Sequence, residues 1–379
     1  MPYQPAVEPQ VGDILHMATG HYVRKEQMLA NAVLQPLVYV GELHDNPSSH
    51  RLQLEVLQAM VKQHPGKVAL GMEMFTVHQQ DVLNRWVAGK LTEKEFLRES
   101  LWFTEGWNFD FEYYRALLEF CRDNGIPVIG LNVDKELARQ VSMTPLAEMA
   151  PEVRAQLPEM DMRDPYQRAM LEAMISGHAG GGTMVESFHR RQTLWDETMA
   201  QSVADYLYGN QGMHMLVVAG GWHVEYGFGI PRRVFRRLPL AYTIIGNRTI
   251  KVAEGKDPQF MDVTMPQFPM PEADYIVYQE YELLKRKDVR LGVLLDDKDD
   301  GAGVLVAGVM PGSVAEMGGI AKGERILSFD GEIVHDNFDV IYAVKKKSPG
   351  DTGLLVISGD GGERNVEITF MAQEKKHGM

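Results

Sequence analysis

Short apolar runs that each end on a glycine or polar residue, and are each followed by helical spacing, constrain the first part of this chain most strongly. Leu34-Gln35-Pro36-Leu37-Val38-Tyr39-Val40 stops at Gly41, and Lys67-Val68-Ala69-Leu70-Gly71-Met72 stops at Glu73. Pro127-Val128-Ile129-Gly130-Leu131 stops near Asn132, and Met213-His214-Met215-Leu216-Val217-Val218-Ala219 stops at Gly220. Strands of this kind alternating with helices predict βαβ units: an α/β fold with a mostly parallel sheet flanked by helices. After the first run, Asp45 and Asn46 suit a helix cap and Pro47 the first turn, while Leu52, Val56 and Met60 recur at helical spacing. Residues 109–124 repeat the pattern, with Phe111, Tyr114, Leu117, Leu118 and Cys121 on one face and Gly125 at the C-cap. A long helical region over 145–208 is broken by the glycines of 177–182.

The pattern changes after about Thr264. Met265-Pro266-Gln267-Phe268-Pro269-Met270-Pro271 cannot extend a helix and reads as a linker, and beyond Arg290 short β segments alternate with Gly-rich turns. The expected organisation is an α/β domain over 1–264, a Pro-rich linker over 265–284 and a small β-rich domain over 285–372. A length of 379 residues suits two domains. The net charge of −14 excludes nucleic acid as the main partner, because phosphate neutralisation needs a basic surface. No apolar run approaches the ~20 residues needed to cross a bilayer. Met1-Pro2-Tyr3-Gln4-Pro5 reads as a flexible leader, or equally as a start left after a removed signal. Cys121, the single cysteine, cannot form an internal disulfide and leaves the compartment open.

In parallel α/β sheets ligands bind beyond the carboxyl ends of the strands. Gly41-Glu42-Leu43-His44 and Gly220-Gly221-Trp222-His223 follow two of the strands, Glu73 ends another and Asn132 a fourth. Two Gly-x-x-His turns and the glutamates converge on one rim, since glycine lets each chain turn sharply. Imidazole and carboxylate suit Zn, Mn or Co, and imidazole also suits haem iron. His44, Glu73 and His223 are therefore the candidate divalent-metal ligands, with Asp196 and Glu197 on a helix that covers the rim. His44 also precedes a predicted helix N-terminus, whose positive end disfavours imidazolium. Gly180-Gly181-Gly182-Thr183 lacks the lysine of a phosphate loop and reads as a flap. The methionines, 23 in all, fall mostly at core-facing helical positions such as Met170, Met174 and Met199.

Val40-Gly41-Glu42-Leu43-His44-Asp45-Asn46, Gly71-Met72-Glu73-Met74-Phe75, Trp195-Asp196-Glu197-Thr198-Met199-Ala200 and Ala219-Gly220-Gly221-Trp222-His223, with Gly227-Phe228-Gly229-Ile230-Pro231-Arg232-Arg233, resemble the ChaN family over roughly residues 20–250. That resemblance implies a haem-binding, iron-uptake lipoprotein of the periplasm or outer membrane. It also implies a homodimer whose interface holds haem by a tyrosine, with histidine contacts to propionates. His44 and His223 sit in the matching motifs, and Tyr226 and Tyr114 are the candidate haem tyrosines. No lipobox cysteine is visible. The wider superfamily includes TIKI metalloproteases and erythromycin-esterase-like hydrolases. It supplies the alternative: a metal-dependent hydrolase with His44, His223 and Glu73 as ligands and Glu42 as general base.

From Arg290 to Phe370 the chain resembles a bacterial PDZ domain of the HtrA type. Leu291-Gly292-Val293-Leu294, Met310-Pro311-Gly312-Ser313-Val314-Ala315 and the run from Gly319 to Gly331 carry that likeness. It implies capture of a peptide C-terminus by the N–H groups of Leu291, Gly292 and Val293. The peptide then pairs as an added strand, beside a helix capped by Asn337. Asp296, Asp297, Asp299 and Asp300 are expected to disfavour acidic peptides. A receptor or protease is the kind of partner this module would recruit.

Overall fold

Val38, Tyr39 and Val40 are wholly buried because their strand lies in the interior of a sheet covered on both faces. The computed structural model describes residues 3, 5–175, 181–253, 266–284, 289–296 and 301–372. Residues up to Leu283, without 101–105, form one compact unit, and those from Leu284 with 101–105 form another.

The strands of the first unit are β1 (Ile14–His16), β2 (His21–Val23), β3 (Leu37–Glu42), β4 (Val68–Thr76), β5 (Val128–Asn132), β6 (His214–Gly220), β7 (Tyr242–Val252) and β8 (Tyr275–Tyr281). They lie in the order β2-β1-β8-β7-β3-β6-β4-β5. From β8 through β5 every pairing is parallel, and only β1 and β2 run antiparallel at the edge. The sheet is thus mostly parallel with flanking helices, as the apolar runs predict. Tyr39, Met215, Val217, Val203 and Met199 pack in its main core. Each such buried side chain stabilises by roughly 1.5–3 kcal/mol. Met170 and Met199 are fully buried, so methionine here fills space.

The chain enters β3, crosses over β6 to reach β4, and returns later to insert β6 between them. This reversal of strand order opens a crevice at the carboxyl ends of β3, β6 and β4. Asn46 caps the Pro47–Gln63 helix through Ser48 N (3.2 Å) and also accepts from Glu282 N (3.1 Å), pinning the loop after β3 to the end of β8. A single helix, Gly181–Gly209, passes over the crevice region. Gly182 and Thr183 belong to its first turn, so that part of the expected flap is helical, and Gly180 lies outside the described residues.

The linker expected over 265–284 needs correcting. Residues 275–281 are β8, paired along seven residues with β7 and antiparallel to β1. Prolines at 266, 269 and 271 mask a following Tyr-Ile-Val-Tyr strand whose Ile276 and Tyr278 enter the core. Residue 265 and the preceding stretch from 254 lie outside the described residues.

The second unit is antiparallel: β9 (Val293–Asp296), β10 (Val304–Val309), β11 (Arg325–Phe329), β12 (Glu332–Ile333), β13 (Thr352–Gly359) and β14 (Gly362–Thr369). Its order is β14-β13-β11-β10-β9, with β12 beside β11. Ile326, Phe329, Leu355 and Ile357 fill its core. β9 is one of the edge strands. At Gly292 (φ 82°) a Cβ would lie 2.2 Å from the Ser313 side chain, so only glycine fits this turn. The helix Asn337–Lys345 is capped by Asp336, which accepts from Asp339 N; Asn337, the expected cap, is its first helical residue. Asp297, Asp299 and Asp300 lie outside the described residues.

Candidate functional site

Two strand ends pressed together create the site. Glu42 of β3 stands opposite Gly220 of β6. A Cβ on Gly220 would lie 2.9 Å from His44 Cε1, and one on Gly41 would lie 3.2 Å from Gly221 Cα. Glycine at both positions lets the two turns close on each other, bringing His44, Glu73 and His223 to one rim.

Glu42 is buried inside a ring of donors. Its Oε1 accepts from the Tyr114 hydroxyl (2.6 Å) and from His44 Nδ1 (2.7 Å), and its Oε2 accepts from Gln53 Nε2 (2.6 Å). His50 Nδ1 lies 3.6 Å from that second oxygen. Burial pushes the Glu42 carboxyl up, but attraction from His50 and His44, with the hydrogen bonds of His44 and Gln53, holds it below its ordinary value. A carboxylate so stabilised and so fully bonded is a poor general base, which removes the chemical ground for that assignment.

Glu73 and His223 form a second, separate clamp. Glu73 Oε2 accepts from Gly220 N (2.7 Å), and its Oε1 lies 3.3 Å from His223 Nε2. His223 Nδ1 donates to Asp196 Oδ1 (2.6 Å), whose other oxygen accepts from Gln167 Nε2 (2.6 Å). Gln167 is held in turn by Arg233 Nη2 (2.8 Å), a fully buried guanidinium that also donates to Phe228 O and Gly229 O. Burial would lower His223, yet Glu73 and Asp196 raise it to about 10. Burial likewise opposes Glu73, but His223, His44 and the Gly220 N–H lower it to about 2. His223 is therefore an imidazolium locked between two carboxylates, with both nitrogens engaged. Asn132, at the end of β5, donates to Glu73 O (3.0 Å) and steadies the strand beneath.

His44 differs. Its side chain is 31% exposed, its Nδ1 is committed to Glu42, and its Nε2 has no partner among the described residues. Trp107 meets the ring edge-on at 4.9 Å and Phe109 lies 5.3 Å away. Burial lowers its pKa, but the hydrogen bond and charge of Glu42, with Glu73 beyond, raise it above the ordinary value. The helix dipole expected to keep this ring neutral is outweighed by a carboxylate in direct contact.

The remaining candidates sit elsewhere. The Tyr114 hydroxyl donates to Glu42 and accepts from Trp107 Nε1 (2.9 Å), and its ring is wholly buried, so it is not placed to ligate haem iron. Tyr226 has a left-handed backbone (φ 56°), stacks on Phe228 at 5.3 Å, and bonds through its hydroxyl to Glu272. Burial first, then Glu272 and Glu225, push its phenol up to about 12. The divalent-metal centre is not supported: among the described residues no group of His, Cys, Asp and Glu is arranged to hold a metal ion. The nitrogens of His223 are spent on Asp196 and Glu73. Of the covering-helix pair, Asp196 reaches His223, whereas Glu197 turns away to Arg233, Arg236 and Arg237.

Sequence reasoning missed His50, Gln53 and Gln167, and gave Arg233 no role beyond its place in a motif. His50 and Gln53, one turn apart on the helix after the first Gly-x-x-His turn, are polar residues on its buried face. That placement was the available signal, because a buried polar side chain must find a partner.

Similarity to known proteins agrees with this geometry. Residues 28–234 match the model of a family described as haem-binding uptake, Tiki superfamily, ChaN, and residues 289–370 match the PDZ domain model. The fold is similar to that of ChaN of Campylobacter jejuni, described as binding haem cofacially, with a TM-score of 0.52, 13% identity, and coverage of 70% of this chain and 95% of that one. A serine endoprotease of Yersinia pestis aligns with 22% identity over 23% of this chain and 30% of its own, at a TM-score of 0.21. Protein RETICULATA-RELATED 5, chloroplastic, of Arabidopsis thaliana is 26% identical over 231 residues, which are 54% of this chain and 30% of that protein. The chain thus spans under a third of that relative's length. With its Gly-x-x-His rim on a mostly parallel sheet and a family match over more than half its length, this chain belongs to the ChaN haem-binding family of the Tiki superfamily and carries a C-terminal PDZ domain.

Proposed function

We propose that this protein binds haem on the open rim at the carboxyl ends of β3, β6 and β4, and that His44 donates to a haem propionate. The observation that carries this reading is the uncommitted Nε2 of a partly exposed, Glu42-backed imidazole walled by Trp107 and Phe109. Aromatic rings suit the flat apolar macrocycle, and an imidazole whose pKa Glu42 raises suits a carboxylate. Redox and ligand chemistry belong to the haem iron; this chain's residues bind and orient the group. The cavity beside Glu42, lined by Trp222, Glu225 and Thr249, measures about 200 Å³. That is below the size of ordinary cofactor pockets, so haem lies across the rim. Cofacial binding, as described for the Campylobacter jejuni protein, would bring two copies of this chain together over that rim.

The reading extends to a role in haem or iron uptake at the periplasmic or outer-membrane side, with the PDZ domain recruiting a partner by its C-terminus. The edge strand β9 and the turn at Gly292 support peptide addition, and Val293, Leu295 and Val344 pack on one core beneath. A titration of the EDTA-treated chain with ferric haem, followed in the Soret region, tests the first part. Saturable binding weakened by His44→Ala is expected; no saturable binding by the unaltered chain would overturn the reading.

A further inference from the structure

We propose that Arg191 forms a carboxylate-recognition site on the covering helix and receives the second haem propionate, an inference that rests on the haem reading above. Arg191 belongs to the Gly181–Gly209 helix. Its guanidinium lies over the Phe188 ring at 5.2 Å and over the Trp195 ring at 4.9 Å. Trp195 in turn meets His223 edge-on at 6.1 Å, which sets Arg191 one aromatic ring away from the rim.

What distinguishes this arginine is the absence of an acceptor. Its Nε is buried without a hydrogen-bond partner, and among the described residues no carboxylate pairs with it. Each of the neighbouring arginines has a carboxylate or carbonyl partner. Arg190 donates to Val141 O and Ser142 O, Arg168 pairs with Glu172 and Glu186, and Arg232, Arg233, Arg236 and Arg237 share Asp161, Asp164 and Glu197. Leaving a buried donor unmet costs stability that a purely structural arginine would recover by pairing. The guanidinium carbon lies over two aromatic faces without a carboxylate partner among the described residues, and the terminal nitrogens of a guanidinium match a carboxylate in bidentate geometry. Burial also lowers the Arg191 pKa, in keeping with a cation that lacks its counter-ion. Haem carries two propionates. With His44 taking one, a cation on the covering helix answers the other.

The test compares ferric haem with haem dimethyl ester, in which both carboxylates are blocked, by Soret titration of the full chain and its variants. The unaltered chain is expected to favour the free acid by tenfold or more. In Arg191→Gln, haem affinity should fall about tenfold, the value of one charge-assisted hydrogen-bonded contact, while ester affinity stays as it was. Arg191→Lys, which keeps the charge but not the fork, should fall between them and guards against a folding defect in the glutamine variant. If haem binds but the acid-to-ester preference is undiminished in both variants, the Arg191 assignment is overturned and the haem reading stands. If the unaltered chain binds neither compound, the haem reading fails and takes the propionate assignment with it.

Discussion

The turn after β3 and the turn after β6 carry the same Gly-x-x-His spelling and end in different chemistry. His223 is 7% exposed, with a carboxylate on each nitrogen; His44 has one carboxylate behind it and a nitrogen left over. The difference comes from what packs against each turn. The covering helix places Asp196 on His223, whereas beyond Glu42 the His44 ring meets the aromatic rings of Trp107 and Phe109. A shared motif thus fixes where an imidazole stands, and its neighbours decide whether it is structural or available.

The comparison breaks most visibly at the clamp. Asp196→Ala leaves His223 buried with half its counter-charge, and denaturant unfolding should show a loss of about 3–5 kcal/mol. A smaller part of that stability should vanish without mutation as pH changes. His223, raised to about 10, contributes stability that is complete below its unfolded pKa and is lost as pH rises through 10. Glu73, lowered to about 2, contributes stability that is present above its unfolded pKa and fades as pH falls towards 2. Unfolding free energies flat from pH 8 to 10.5 would contradict the clamp.

Gly220→Ala sharpens the contrast from the other side. Its Cβ would meet His44 Cε1 at 2.9 Å, so the ring must shift, at a cost of about 1–3 kcal/mol and with weaker haem binding. His44→Ala should cost only about 1 kcal/mol, because Glu42 keeps Tyr114 and Gln53, yet it should reduce haem affinity more than Gly220→Ala does. A His44→Ala chain as unstable as Asp196→Ala would erase the distinction. In the second unit, Gly292→Glu should abolish C-terminal peptide capture, since only glycine fits beside Ser313; retained capture, read by fluorescence anisotropy, would rule out that loop.

Much of the rim was legible in the sequence because strand ends announce themselves. Val38-Tyr39-Val40 followed by Gly41 gives both the strand and its exit, and Asn46 with Pro47 gives the next helix. β8 was not legible, because its pairing with β7 and β1 is non-local and the prolines before it suggest a linker. The division of labour at the site was hidden for a related reason. Asp196 is 27 residues from His223, and Tyr114 is 72 from Glu42, so only the fold reveals which side chain each imidazole and carboxylate meets. Tyr114 and Tyr226 were candidates through the family resemblance; the fold shows Tyr114 wholly buried against Glu42 and Tyr226 partly buried beside Glu272.

His44 faces the ligand while His223 holds the fold. Imidazole ¹⁵N shifts of both residues, followed from pH 5 to 10 with and without diamagnetic gallium protoporphyrin, test it directly. His223 is expected to remain an imidazolium past pH 8 and to be unmoved by the porphyrin, while the His44 signals shift on binding. A His223 that titrates near pH 6.5, or that responds to porphyrin while His44 does not, would contradict it.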